Sequence, residues 1–125
     1  RQVCYAVSRD GIEWKKPDLG LVEYNGNRHN NLVLSDGGGP VKATFCLILH
    51  EPDDPDSSRR FKMIRYDHPR AVMAAFSPDG LRWTDSPINP VLKGSGLETG
   101  GLIRFDGHYY LNGQGGAVPH PVQGA

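Results

Sequence analysis

Two carboxylates in this chain of 125 residues, Glu98 and Asp36, stand close to runs of glycine, and their settings differ. Glu98 stands in Leu97-Glu98-Thr99-Gly100-Gly101, where the missing side chains leave its surroundings open to a ligand. An ordinary polar loop glutamate would read the same way. Asp36, in Ser35-Asp36-Gly37-Gly38-Gly39, has the look of a flexible turn, and it lacks the Gly-Lys-Ser/Thr ending of a phosphate loop. Asn30 and Asn31 either offer amides to a hydroxyl-rich ligand or cap a turn. Gln114 and His120 lie in a run of small residues, 112–123, shaped either for close approach or as an irregular connection. The acids Glu51, Asp53, Asp54 and Asp56 carry the hard oxygens that calcium takes. Prolines interrupt them, however, and the alternating ligand pattern with its central glycine is missing, so a solvated turn is expected. The five histidines show no His-x-His or His-x-x-x-His spacing. No metal and no cofactor is expected.

The bulk numbers narrow the partners. Lysine plus arginine equals aspartate plus glutamate, 14 against 14, so no net field favours nucleic acid or anionic lipid. The apolar runs, such as Phe45 to Leu49, are far short of a membrane span. Neither a nucleic-acid nor a membrane partner is expected. The chain opens without methionine or a charged-then-apolar leader, which points to a removed leader or a piece of something longer. Sixteen glycines and ten prolines oppose helices, because glycine weakens them and proline breaks them. Cys4 and Cys46 form no framework and no metal pattern, and their apolar neighbours suggest buried free thiols.

The elements that would position these residues come from an internal repeat. Ser8-Arg-Asp-Gly-Ile-Glu-Trp14 and Ser77-Pro-Asp-Gly-Leu-Arg-Trp83 share Ser-x-Asp-Gly-x-x-Trp and start 69 residues apart. Asp-Gly supplies a positive-φ turn, the serine and aspartate side chains cap the turn's amides, and tryptophan opens the return strand with a large packing face. Strands are expected before each copy, at Val3–Val7 and Ala71–Phe76. Leu32–Leu34 and Leu102–Ile103 are expected to be equivalent, each entering a new strand. Val41–Leu49, Phe61–Tyr66, Ala71–Phe76 and Leu81–Thr84 then make four strands, the first the most buried. Four short antiparallel strands repeated along a chain describe a propeller blade. The expected fold is all-β, a partial β-propeller of one whole blade and two half-blades, the last half being Leu102–Phe105 and His108–Asn112. All 125 residues then belong to one domain, whose partner is the remainder of a parent propeller chain.

Tyr5 to Gly26, Ala75 to Trp83 and Asn89-Pro-Val-Leu92 resemble bacterial five-bladed β-propeller proteins of the superfamily that holds glycoside hydrolase families 32 and 43. The resemblance implies an active site at one end of a central funnel, on acids at the starts of innermost strands, and a carbohydrate substrate. It gives Glu98 the part of catalytic acid, just ahead of an innermost strand, and Asp36 that of a second carboxylate. Asn30, Asn31, Gln114 and His120 become candidate sugar contacts. An Asn-Asp-Pro-Asn-like nucleophile string is absent from these residues. Glycoside hydrolysis needs two carboxyls flanking the scissile bond, one protonated and one ionised. The alternatives are a non-catalytic propeller that binds glycans or proteins through the same funnel, and a structural repeat with no ligand.

Overall fold

The computed structural model describes residues 1–35, 45–67, 71–93 and 97–115, and over these the protein is all-β. The one helical turn among the described residues is a 3₁₀ turn at Ser57–Arg59, capped by the Asp56 side chain. Among the described residues nine strands form three antiparallel sheets, none of them closed. Strands β1 (Gln2–Cys4) and β2 (Leu32–Ser35) make the first. The middle sheet runs β3 (Cys46–His50), β4 (Phe61–Asp67), β5 (Ala71–Ser77), and the far edge of β5 carries two short strands, β6 (Thr84–Asp85) and β7 (Leu92–Lys93). Strands β8 (Leu97–Phe105) and β9 (His108–Gly115) make the third.

The two Ser-x-Asp-Gly-x-x-Trp copies have the same geometry. Gly11 and Gly80 take φ of +77° and +76°, which a side chain would strain. In each copy the serine hydroxyl accepts the glycine amide, Ser8 from Gly11 and Ser77 from Gly80, both at 2.8 Å. Asp10 accepts the amides of Ile12 and Glu13, and Asp79 those of Leu81 and Arg82. Each indole donates to its glycine carbonyl at 3.1 Å. The flanking pairs also correspond: Val7 with Lys15 in the first copy, Phe76 with Thr84 in the second.

Beyond the tryptophan the period changes. Val3 pairs with Leu34 and Val72 with Leu92, so the strand equivalent to Leu32–Leu34 is β7, and not Leu102–Ile103 as the sequence suggested. In both copies this return strand is interrupted, more widely in the first, where Lys15 to Asn31 loops out before pairing resumes at Leu32. An asparagine sits at each interruption. Asn89 donates to the Ala74 carbonyl and accepts the Ala74 amide, both at 2.8 Å. Asn31 donates its amide to the Tyr5 carbonyl at 2.6 Å, and the Tyr5 amide returns a bond to the Asn31 carbonyl. The expected strand Leu81–Thr84 is correspondingly Thr84–Asp85, because the turn bonds hold 81–82.

The core lies between the first and middle sheets. Val33, Leu34, Met63, Ala75 and Trp83 are buried together, with Val3, Tyr5, Leu19, Cys46, Phe61 and Leu81 packed around them. Burial of a side chain such as Met63 is worth roughly 1.5–3 kcal/mol. Of the expected most buried strand, Val41–Leu49, residues 41–44 lie outside the described residues, and the described part, in β3, is half-buried; β4 and β5 carry the burial because each is paired on both sides. Trp83 is 5% exposed and Trp14 60%, so packing covers only the second copy. Cys46 is half-buried and Cys4 exposed, both free, so Cys4 is not the buried thiol its neighbours suggested: it lies in β1, whose far edge no described strand covers.

Candidate functional site

Strand β8 begins at Leu97, earlier than expected, so Glu98 lies inside it rather than ahead of it. Its register partner is Gln114 in β9, and among the described residues this is the one pair of candidates that the fold sets opposite each other along the backbone. Asn112 sits beside them: an added Cβ on Gly101 would lie 2.7 Å from its side-chain oxygen. The space over Gly101 is therefore filled by this amide instead of being open, and the bulge between Thr99 and Gly101 accommodates it. Asp36 and His120 lie outside the described residues.

Asn30 and Asn31 hold backbone. The Asn30 amide donates to the Val22 carbonyl at 2.8 Å, its oxygen accepts the Leu32 amide, and Asp18 accepts the Asn30 backbone amide. With Asn31 bound to Tyr5, both side chains fix the path from the turn into β2. The contacts of both amides are to backbone, those of Asn30 within the connection into β2 and that of Asn31 across to Tyr5.

The densest polar cluster among the described residues joins two of the loop acids, Glu51 and Asp54, to partners the sequence did not single out. The Lys62 ammonium, on β4, reaches Glu51 at 2.7 Å and Asp54 at 2.5 Å. Across the gap to the third sheet, Arg104 donates to Glu51 at 2.9 Å and the Tyr109 hydroxyl donates to it at 2.7 Å. The Lys62 and Glu51 side chains are nine-tenths buried, so the expected solvated turn is a buried ionic cluster for two of its acids, Glu51 and Asp54. Burial pushes the Glu51 carboxyl up, but bonds from Lys62, Tyr109 and Arg104 outweigh it and hold the group below its ordinary range. Burial pulls Lys62 down, and its bonds to Asp54 and Glu51 reverse that and leave it raised. The Tyr109 hydroxyl is raised by burial and by its bond to Glu51.

A carboxylate held ionised, with both oxygens engaged by three donors, is a poor general acid and a poor nucleophile. The cluster is a clamp between sheets. A sequence signal existed, since Lys62 and Arg65 are charges inside the strand Phe61-Lys-Met-Ile-Arg-Tyr66. Arg65, on the opposite face, is 2% exposed and forks onto Asp85 at 2.7 and 3.0 Å. Among the described residues no group of three His, Cys, Asp or Glu side chains could hold a metal ion. Comparison with protein-family models, with curated proteins and with solved structures gives no match.

Proposed function

We propose that the chain is part of a carbohydrate-active β-propeller, in which Glu98 contributes a carboxyl to glycosidic-bond cleavage. The observation that carries this reading is the repeated unit itself. The same turn and the same interrupted return strand occur twice, and the sheets are packed face against face. Such units, arrayed about an axis, converge their first strands on a central funnel. Strand β8 would be one of those first strands, with Glu98 and Gln114 opposite each other near one end. There Glu98 would protonate the departing glycosidic oxygen, while a second carboxylate from another strand attacks or activates water. Gln114 would hydrogen-bond sugar hydroxyls. Asp36 is kept as a proposed second acid, His120 as a proposed contact.

The test is Glu98→Gln in the full-length protein, which keeps the shape and removes the proton. Turnover of glycosides with poor leaving groups should fall by roughly 10²–10⁴-fold, and activated aryl glycosides should suffer less. Equal turnover of both by variant and parent would remove Glu98 from the mechanism. A non-catalytic glycan- or protein-binding propeller is the second reading. One observation favours it: the densest polar cluster among the described residues is centred on Glu51, whose carboxylate is tied to Lys62, Tyr109 and Arg104 as a clamp between sheets and not as half of an acid–base pair.

A further inference from the structure

An asparagine followed by glycine carries its own electrophile and nucleophile. The glycine nitrogen can close a five-membered ring on the side-chain amide carbon, and the missing Cβ leaves that nitrogen unhindered. Asn-Gly occurs twice in the chain, at Asn25-Gly26 and Asn112-Gly113. The remaining asparagines, Asn27, Asn30, Asn31 and Asn89, all have their side chains bound to backbone. Asn89 also precedes a proline, which has no amide proton to lose.

The two Asn-Gly pairs sit in different surroundings. Asn25 and Gly26 are exposed, with φ of 50° and 79°, the two-residue turn that sets Tyr24 opposite Asn27. The amides of Tyr24 and Asn27 donate to each other's carbonyls at 2.8 and 3.2 Å, and this bridge is isolated from every named strand. Among the described residues nothing bonds the Asn25 side chain or the Gly26 amide. Asn112 and Gly113 instead lie within β9, opposite Gly101 and Thr99, and the pairing with β8 continues on both sides of them. The Asn112 side chain lies against Gly101. Closing the ring rotates the backbone at the asparagine. At Asn25 that rotation opens one isolated bridge; at Asn112 it opens the ladder between β8 and β9.

We propose that Asn25 is a site of spontaneous deamidation in the folded protein, with water as the only co-reactant. The Gly26 nitrogen bonds to Cγ of Asn25 and the Cγ–Nδ2 bond breaks. The Gly26 amide proton leaves with the departing nitrogen as ammonia, and a succinimide remains. Water then opens the ring at either carbonyl, giving aspartate or isoaspartate. Both products place a new negative charge at the tip of the loop between Lys15 and Asn31. Isoaspartate also carries the main chain through its β-carbon, which lengthens the turn and removes the Tyr24–Asn27 bridge. This inference is independent of any role for Glu98.

The test is to hold the full chain at mildly alkaline pH, folded or in guanidinium chloride, and to map its peptides by mass spectrometry. In the folded protein the Asn25 peptide should exchange ammonia for water and split into two chromatographic peaks of equal mass, while the Asn112 peptide stays intact. In denaturant both Asn-Gly pairs should convert at similar rates, which assigns the protection of Asn112 to the fold. Gly26→Ala should slow conversion of Asn25 several-fold in denaturant, where the strain of a side chain at positive φ plays no part. Asn25 persisting as long as Asn112 in the folded protein overturns the inference. So does equal conversion of the two in the folded protein, or a Gly26→Ala chain that converts as fast as the parent.

Discussion

Asp79 shows how much of a repeat can rest on one side chain. One oxygen accepts the amides of Leu81 and Arg82 at 2.9 and 2.8 Å, and the other accepts the Arg82 guanidinium at 2.7 Å. Burial pushes the carboxyl up, yet these bonds and the Ser77 hydroxyl outweigh it and bring it down to about 2. The folded state thus binds the proton more weakly than the unfolded chain, where the group titrates near 3.8. Its stabilisation is complete above that value and lost as pH falls from about 4 to about 2. Asp79→Asn should cost about 1 kcal/mol at neutral pH, a solvent-screened figure suited to a side chain 35% exposed. That difference should vanish by about pH 2. Urea midpoints for variant and parent at several pH values check this, and a gap that is the same at every pH would sink it. Asp10 makes the matching bonds in an exposed turn and is held below its ordinary value by the Glu13 and Ile12 amides first.

Among the elements, the interrupted return strand is governed by its asparagine. Asn89 supplies both a donor and an acceptor to Ala74, in place of a neighbouring strand residue. Ser86 also donates to the Ala74 carbonyl, so in Asn89→Ala the orphaned group is the Ala74 amide. Leaving such a group buried costs about 1–3 kcal/mol. Amide exchange at Ala74 should accelerate well beyond that of Ile64 across the strand pair; unchanged protection there would show that the side chain is dispensable. These elements were legible in the sequence to unequal depth. The turns were readable because Ser-x-Asp-Gly-x-x-Trp satisfies its own amides within seven residues, and local chemistry is what a sequence displays. Strands β4 and β5 were readable because apolar residues bounded by turns leave little choice. The equivalence of Leu32–Leu34 was misjudged because the loop from Lys15 to Asn31 has no matching length in the second copy. Apolar content overrated β3, since burial depends on pairing at both edges. Glu98 was identified as an acid near β8, but its register with Gln114 follows from a bulge that only the paired strands reveal.

At the scale of the whole molecule, a polar cluster ties the third sheet to the middle one. Glu51 gathers Lys62, Arg104 and Tyr109, while Lys62 keeps Asp54 as a second partner. Glu51→Gln should therefore cost about 1.5–3 kcal/mol, the range for hydrogen bonds to a charged group. The loss should be local: faster amide exchange throughout β8 and β9, with β4 and β5 still protected. Uniform acceleration across all three sheets would show that the clamp serves the global fold instead. The middle sheet differs, because its other face is sealed by Met63, Ala75 and Trp83 against the first sheet. One feature of the two turns reaches beyond stability. Trp14 and Trp83 make the same indole bond although one is bare and the other enclosed, so the turn keeps its shape without a neighbour. A gene segment encoding such a turn could be duplicated in tandem and give a correctly bent product at once. A turn of that kind tolerates linkers of different length after it, and either a covered or an uncovered indole.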